Sequence, residues 1–269
     1  MFDIGVNLLH PQFDNDREAV LERSAQAGIA GMLVTATSLD TTRAAIEFCR
    51  AHRLICTAGV HPHDARNAPE DLEDRLLEYA ADPCVKAIGE TGLDFNRDFS
   101  PRNVQRQVFA RQIRVASRTR LPLFVHDRDS GGETGDLLAA AIPELHGVVV
   151  HCFTGTAEDL HRYLGLGCWI GITGWVCDRR RGGRLRELIP QIPLDRLLIE
   201  TDAPFLMPHN APADRYPHSG SGSTRRRNEP ALLGYVAEEI ARLRGEPRAI
   251  IEQRTRENAV SLFQLANPG

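Results

Sequence analysis

LPLFVHDRDSGGETGDLLAAAIPELHGVVVHC, residues 121–152, holds the pattern that decides the fold. Two apolar runs, Leu121–His126 and Gly147–Cys152, each end at or next to a histidine, and an amphipathic segment separates them. Apolar runs that are continuous, not alternating, are typical of strands covered on both faces, as in a parallel sheet flanked by helices. The stretch therefore predicts a strand, a helix and a second parallel strand, with a histidine at the end of each strand.

The same pattern recurs along the whole chain. Six further apolar runs are Phe2–Asn7, Gly31–Thr37, Leu54–Val60, Cys84–Glu90, Gly167–Thr173 and Arg196–Asp202. Segments of helical period include Asp14–Ala27, Pro101–Thr119, Glu229–Leu243 and Pro247–Leu265. Eight strand–helix units in a chain of this length predict an α/β fold of the (β/α)8 TIM-barrel type, as a single domain over residues 1–269. A doubly wound open sheet is the alternative, but DIGVNL after the start is not the Gly-rich turn that it requires.

Composition excludes several other classes of protein. The chain has 269 residues, of which 42% are hydrophobic and 25% are charged, and its net charge is −4. These values exclude a disordered chain and a small disulfide scaffold, and six scattered cysteines without a Cys-x-x-Cys pair fit reduced thiols. No apolar run approaches the roughly 18 residues of a membrane helix, and MFDIGVN has no signal-peptide pattern. We therefore expect a cytoplasmic protein with no membrane association, and no obligate protein partner is evident.

Polar residues gather at the ends of the predicted strands. In a TIM barrel the reactive side chains project from the C-terminal ends of the strands. The residues at these ends are Asn7, Thr37, His61 with His63, Glu90, His126, His151, Thr173 and Asp202. Imidazoles and carboxylates that converge on one point are typical of a divalent-metal site. The residues alone therefore predict metal-assisted hydrolysis, and this interpretation depends on the predicted fold.

Seven motifs carry a resemblance to a known family. They are GVHPHD (Gly59–Asp64), IGETGLDF (Ile88–Phe95), FVHDRD (Phe124–Asp129), HCFTGT (His151–Thr156), GITGWVCDRRRG (Gly171–Gly182), LIETDAPFL (Leu198–Leu206) and RRNEP (Arg226–Pro230). Together they resemble the TatD family of metal-dependent hydrolases, which are amidohydrolase-like TIM barrels. The resemblance spans nearly the whole chain, and it is strongest to the TatD branch of that family.

The resemblance implies roles for individual residues. The implied metal ligands are Glu90, His126, His151 and Asp202. Asp202 would also be the general base, and His61 and His63 would lie close to the metal and the scissile phosphate as further catalytic residues.

The start of the chain departs from the wider family. Most relatives carry His-x-His at the end of the first strand, where this chain has Gly5 and Asn7. We therefore expect one firmly held divalent ion, and a second site is in doubt. Imidazoles with carboxylates suit zinc, manganese or iron, whereas the nuclease activity of the family implies magnesium or manganese. We expect Mg²⁺ as the working cofactor, with Mn²⁺ and Zn²⁺ as the alternatives.

The implied activity is that of a 3′–5′ exonuclease acting on single-stranded DNA, with RNA left open, in DNA repair. The sequence pI of about 6.2 means that any nucleic-acid contact would be local. Residues expected to bind substrate are Trp175 and Arg179 after the seventh strand, and Arg225, Arg226 and Arg227 after the eighth. Two alternatives are a small-molecule amidohydrolase or lactonase on the same barrel, and a non-catalytic nucleic-acid-binding protein.

Overall fold

The structure is a computed structural model that describes residues 1–212 and 227–266. Its strands are β1 Phe2–Val6, β2 Gly31–Val34, β3 Ile55–Ala58, β4 Val85–Asp94, β5 Leu123–Arg128, β6 Val148–His151, β7 Trp169–Ile172 and β8 Leu197–Ile199. Its helices are α1 Arg17–Gln26, α2 Leu39–His52, α3 Leu72–Ala80, α4 Arg102–Thr119, α5 Glu133–Ala141, α6 Ala157–Gly165, α7 Gly183–Leu188, α8 Leu233–Arg244 and α9 Arg248–Leu262. None of the helices in these two ranges is both long enough and apolar enough to cross a membrane.

The eight strands follow one another in the sheet in their order along the chain, β1 to β8. The registered pairs are parallel, and a helix follows every strand. This is the order of a (β/α)8 barrel, so the predicted fold class is confirmed and the doubly wound alternative is wrong. The described chain falls into two compact units, residues 1–34 with 170–261 and residues 35–169 with those from 262 onward. A single domain over residues 1–269 stays a prediction.

The first unit brings the two ends of the strand series together. A parallel bridge joins Val6, at the end of β1, to Ala203, which follows β8. The amide of Asn7 donates to the carbonyl of Ala203 at 2.9 Å, and the amide of Asp202 donates to the carbonyl of Gly5 at 2.8 Å. Strand β8 therefore lies next to β1, as the closed strand order of a barrel requires.

The second unit contains β3 to β6, and two of its strands run further than expected. The sequence predicts that β4 and β5 end at Glu90 and His126, but the pairing continues to Asp94 opposite Arg128. Gly92 makes this possible, because its φ is +137° and a Cβ there would collide with the carbonyl of His126. The two backbones approach closely only where no side chain intervenes, so Glu90 and His126 lie within paired strands.

Candidate metal centre

Glu90 is the centre of a buried cluster of imidazoles in the second unit. Its Oε1 lies 3.0 Å from Nδ1 of His126, 3.2 Å from Nε2 of His61 and 3.7 Å from Nε2 of His151. His61, Glu90 and His126 each offer one ligand atom, and these atoms lie within 4.8 Å of one another. The structure thus brings together the three metal ligands expected in this unit, and it adds His61 to them.

A buried glutamine holds the backbone around this cluster. The amide of Gln112, on α4, donates to the carbonyl of Val60 at 2.8 Å and to Oγ1 of Thr91 at 2.6 Å. Its carbonyl oxygen accepts from the amide of Val60 at 2.8 Å. Val60 precedes His61 and Thr91 follows Glu90, so one side chain fixes the spacing of two strands that carry ligands. Buried amides that are fully hydrogen-bonded in this way rigidify their surroundings.

His61 is neutral in this environment. Its Nδ1 accepts a hydrogen bond from the amide of His63 at 3.1 Å, which leaves the ring proton on Nε2, the atom that faces Glu90. Burial lowers the pKa of His61 to about 4, although the Glu90 carboxylate opposes this effect. A metal at this position would replace the Nε2 proton.

His126 is charged, because both of its ring nitrogens face carboxylates. Nδ1 lies 3.0 Å from Glu90, and Nε2 lies 3.3 Å from Oδ2 of Asp94. Burial alone would lower the pKa of His126, but the hydrogen bonds with Asp94 and Glu90 outweigh it and raise that pKa to about 9. Burial likewise opposes ionisation of Glu90, yet the surrounding imidazoles hold the pKa of this carboxyl well below its usual value.

Asp94 contacts two histidines, and its contact with His126 is on the side of that ring away from Glu90. Its Oδ2 lies 2.7 Å from Nε2 of His63, in addition to its contact with His126. Its Oδ1 accepts from the amides of Asn96 at 3.0 Å and Arg97 at 2.8 Å. Burial opposes ionisation, but the hydrogen bonds with the two histidines outweigh it and lower the pKa of Asp94. A carboxylate that bonds the far nitrogen of a ligating histidine fixes the ring and makes it a better ligand.

The donor set fits a divalent cation. Three imidazoles surround one carboxylate that is 6% exposed. A buried carboxylate surrounded by several nitrogen donors is the usual protein environment of zinc, manganese or iron. His63 is held through Asp94 beside this set, with 34% of its side chain exposed.

Asp202, the fourth expected ligand, lies in the first unit just after β8. Its backbone is left-handed, with φ at +52°, and its Oδ1 accepts a hydrogen bond of 2.9 Å from Nδ2 of Asn7. Asn7 therefore orients Asp202, a role that its position at the end of the first apolar run does not indicate. The contact joins residues 195 positions apart, so no local pattern could have revealed it.

Two of the residues expected to bind substrate lie after β7, also in the first unit. Trp175 is half-buried, and the guanidinium of Arg181 lies 4.4 Å from the centre of its ring. Nε of Arg181 donates to Oδ2 of Asp178 at 2.7 Å, which holds the guanidinium over the indole. Arg179 is exposed. The segment therefore presents an aromatic ring stacked with a cation, next to an exposed arginine.

One of the three arginines expected to bind substrate after β8 is buried. Arg225 and Arg226 lie outside the described residues. The side chain of Arg227 has 0% exposure; its Nη2 lies 2.5 Å from Oδ2 of Asp16, and its guanidinium lies 4.6 Å from the ring centre of Phe13. A guanidinium buried in this way cannot reach a phosphate. The expected substrate contact of Arg227 is therefore wrong, and its role is to join the segment after β8 to the first turn of the chain.

Comparison with known proteins decides the family. A model of the TatD related DNase family matches residues 2–264. The chain belongs to the TatD family. Among TatD relatives, a protein of Rahnella sp. (strain Y9602) named 3′-5′ ssDNA/RNA exonuclease TatD is 46% identical, and the match covers 99% of each chain. A protein of the same name from Pectobacterium parmentieri is also 46% identical, over 99% of this chain and 100% of the relative.

Solved TatD structures are similar over their full length. The TatD homologue YJJV from Escherichia coli k12 is 28% identical with a TM-score of 0.86, covering 99% of this chain and 98% of that one. A hydrolase TatD family protein from Entamoeba histolytica is 26% identical with a TM-score of 0.87, covering 97% of both chains. The family resemblance in the sequence motifs is thus confirmed at the level of the whole fold.

Proposed function

We propose that this protein is a metal-dependent 3′–5′ exonuclease that hydrolyses phosphodiester bonds of single-stranded DNA and of RNA. The observation that carries the proposal is the convergence of His61, His126 and His151 on Glu90 in a chain of the TatD related DNase family. The names of the full-length bacterial relatives support both the reaction and its polarity.

We propose Glu90, His61, His126 and His151 as the residues that hold the ion, with Asp202 as a further ligand. A divalent ion supplies neutralisation of phosphoryl charge and a lowered pKa for water. Glu90 contributes the negative charge, and Asp94 keeps the ring of His126 turned toward it. His63, fixed by the same Asp94 carboxylate, stabilises charge that develops on the phosphate oxygens.

Asp202 is the proposed general base. It takes a proton from the attacking water, whose oxygen bonds to phosphorus as the bond to the leaving 3′ oxygen breaks. The leaving 3′ oxygen takes up a proton from solvent water. The products are a nucleoside 5′-monophosphate and a strand with a free 3′ hydroxyl one residue shorter. Asn7 donates a hydrogen bond to Oδ1 of Asp202 and so fixes the orientation of this carboxylate.

The identity of the ion is open to a direct test. The imidazole-rich donor set favours Mn²⁺ or Zn²⁺. Mg²⁺ is usually held by one or two carboxylates together with substrate phosphates and water, and Glu90 and Asp202 meet that description. We propose Mg²⁺ as the working cofactor on this ground and on the nuclease activity of the family, with Mn²⁺ and Zn²⁺ as the competitors.

The proposed substrate contacts are Trp175, Arg179, Arg225 and Arg226. Arginines neutralise phosphates, and each contact removed reduces the magnitude of the negative slope of log affinity against log salt concentration by roughly 0.7 for a single strand. Replacement of Arg179, Arg225 and Arg226 together is expected to weaken binding of single-stranded DNA and to flatten its salt dependence. An unchanged slope would exclude these arginines from the binding surface.

The test of the activity uses 5′-labelled single-stranded DNA and RNA with Mg²⁺, Mn²⁺, Zn²⁺ or a chelator. Stepwise shortening that requires metal, and that is lost in Glu90→Ala and in the isosteric Glu90→Gln, is the expected result. The glutamine variant keeps the shape of the buried side chain and removes its charge, so loss of activity with an unchanged melting curve isolates the ligand role. Absence of cleavage with every metal would refute the proposal.

We also propose that the protein acts in the cytoplasm, in DNA repair. The expected result is that a strain lacking the protein becomes more sensitive to oxidants, and that the wild-type chain, but not Glu90→Gln, restores resistance. Equal resistance of the deleted and the complemented strains would remove this role and leave the nuclease activity untouched.

A further inference from the structure

Phe99 is an aromatic side chain in an unexpected place. It lies in the loop between β4 and α4, and 50% of it is exposed. Among the described residues, the other large hydrophobic side chains that are exposed are Phe205 at 45% and Ile250 at 39%. Single exposed hydrophobic residues are common on protein surfaces, so exposure alone does not indicate a role. The residues that surround Phe99 do indicate one.

The ring of Phe99 adjoins the candidate metal centre. Its centroid lies 4.7 Å from that of His63, with the two ring planes at 69°. His63 shares the Asp94 carboxylate with His126, a proposed ligand. Three contacts therefore lead from this half-exposed ring to the proposed ligand His126, and all four residues belong to the same compact unit.

The loop that carries Phe99 is held on both sides of the ring. Before it, the amide of Arg97 donates to Oδ1 of Asp94 at 2.8 Å. After it, Oγ of Ser100 donates to the carbonyl of His63 at 2.9 Å. Ser100 is buried with 0% exposure, directly next to the exposed phenylalanine. The ring is therefore exposed and pre-positioned, which lowers the entropy lost when something binds to it.

We propose that Phe99 is a stacking platform for a nucleobase at the 3′ end of the substrate strand. Stacking on an aromatic ring tolerates every base, because each base has a π-face, and an exonuclease must accept each base in turn. Contacts through His63 and Asp94 fix the position of Phe99 relative to the proposed metal ligands. A base stacked on Phe99 would therefore place its own phosphate next to those ligands. This inference rests on the proposed nuclease function and names a residue that positions its substrate.

The test compares two substrates and three variants. One substrate is a labelled single-stranded decamer, and the other differs only by an abasic residue at its 3′ end. We expect wild type to bind and to cleave the normal end roughly 10-fold better than the abasic end, the range that stacking of one base provides. Phe99→Ala should lose roughly 10-fold on the normal end and almost nothing on the abasic end. Phe99→Trp should keep the discrimination, and Phe99→Leu should lose most of it.

The matched control is Ile250→Ala, which removes an exposed apolar side chain from α9. It is expected to behave as wild type on both substrates. Equal losses on both substrates in Phe99→Ala would mean that Phe99 merely supports the loop, and no loss on either would mean that no base stacks there. Either outcome overturns the proposal.

A second readout separates this proposal from the nuclease function. Binding of both decamers is measured by fluorescence anisotropy in the presence of a chelator, where no cleavage occurs. If wild type degrades neither strand with any metal, the nuclease proposal fails, and the abasic comparison in the binding assay still decides the role of Phe99. Discrimination by wild type that disappears in Phe99→Ala supports the platform, and binding that ignores the terminal base refutes it.

Discussion

Asp94→Asn is the change whose effect can be worked out furthest from the structure. The substitution keeps the size of the side chain and removes the charge that lies 3.3 Å from Nε2 of His126 and 2.7 Å from Nε2 of His63. Loss of a carboxylate behind a metal-ligating histidine typically costs roughly 10- to 100-fold in metal affinity. Asp94 is 1% exposed, so we take the upper end, about 100-fold, as the intrinsic loss.

Proton competition works against this loss at neutral pH. The pKa of His126 is raised to about 9, so at pH 7 an ion must displace a proton from the ring. Without the Asp94 charge the pKa of His126 falls by about one, so the ion competes with a more weakly bound proton. This raises metal affinity about tenfold at pH 7 and leaves it unchanged well above pH 9. The net deficit of Asp94→Asn should therefore be about 10-fold at pH 7 and about 100-fold at pH 9.5.

The assay is competition between the protein and a chromophoric chelator for Mn²⁺ or Zn²⁺ at the two pH values. The matched control is Asp98→Asn, four residues along the same loop, where the carboxylate is 43% exposed and pairs with Arg102. It should leave metal affinity unchanged. A deficit of Asp94→Asn that is absent, or that shrinks as the pH rises, would refute the reasoning.

Three further outcomes are expected. Burial raises the pKa of Asp3 to about 7 from 3.8, so the free energy of unfolding falls by up to about 4 kcal/mol between pH 4 and pH 7, of which about 3 kcal/mol lies above pH 5; Asp3→Asn should remove this difference between urea titrations at pH 5 and pH 9. Asn7→Ala should lower kcat roughly tenfold with little change in KM, because Asp202 loses its hydrogen-bond donor, and a selective rise in KM would contradict this role. Arg227→Met should lower the free energy of unfolding by about 2 kcal/mol, because Asp16 loses its buried partner and keeps only the more exposed Arg23, and unchanged stability would show that the pair contributes nothing.

The fold could be predicted from the sequence because each strand is a continuous apolar run between helical segments. Each of the eight predicted runs overlaps one strand of the sheet. The ends of β4 and β5 were misplaced, since the apolar pattern stops at Glu90 and His126 while the backbone pairing does not. Pairing beyond that point depends on Gly92 lying against a neighbouring carbonyl, a contact between distant segments that a one-dimensional pattern does not contain.

The candidate site was predictable where its residues stand at the ends of apolar runs in the sequence. Glu90, His126 and His151 were found in this way, because the chemistry of the residue and its position in the unit repeat agree. The position of Asp94, four residues after Glu90, also indicates that it orients a ligand, but contacts between distant segments, such as that of Asn7 with Asp202, were not predictable. Arg227 stands in a run of arginines that is typical of a solvated surface, and only its burial against Asp16 shows that it is structural.

The two oxygens of the Asp94 carboxylate contact different groups. Oδ2 contacts His63 and His126, and Oδ1 accepts hydrogen bonds from the start of the loop that carries Phe99. If the ion and the oligonucleotide bind as proposed, both act on the Asp94 carboxylate, and each should increase the affinity for the other. Such linkage is reciprocal, so the factor by which the ion tightens the oligonucleotide equals the factor by which the oligonucleotide tightens the ion. A metal site that binds its ion weakly without substrate would then be occupied mainly when a nucleic-acid strand is bound. This dependence would limit binding of other metal ions by the free protein.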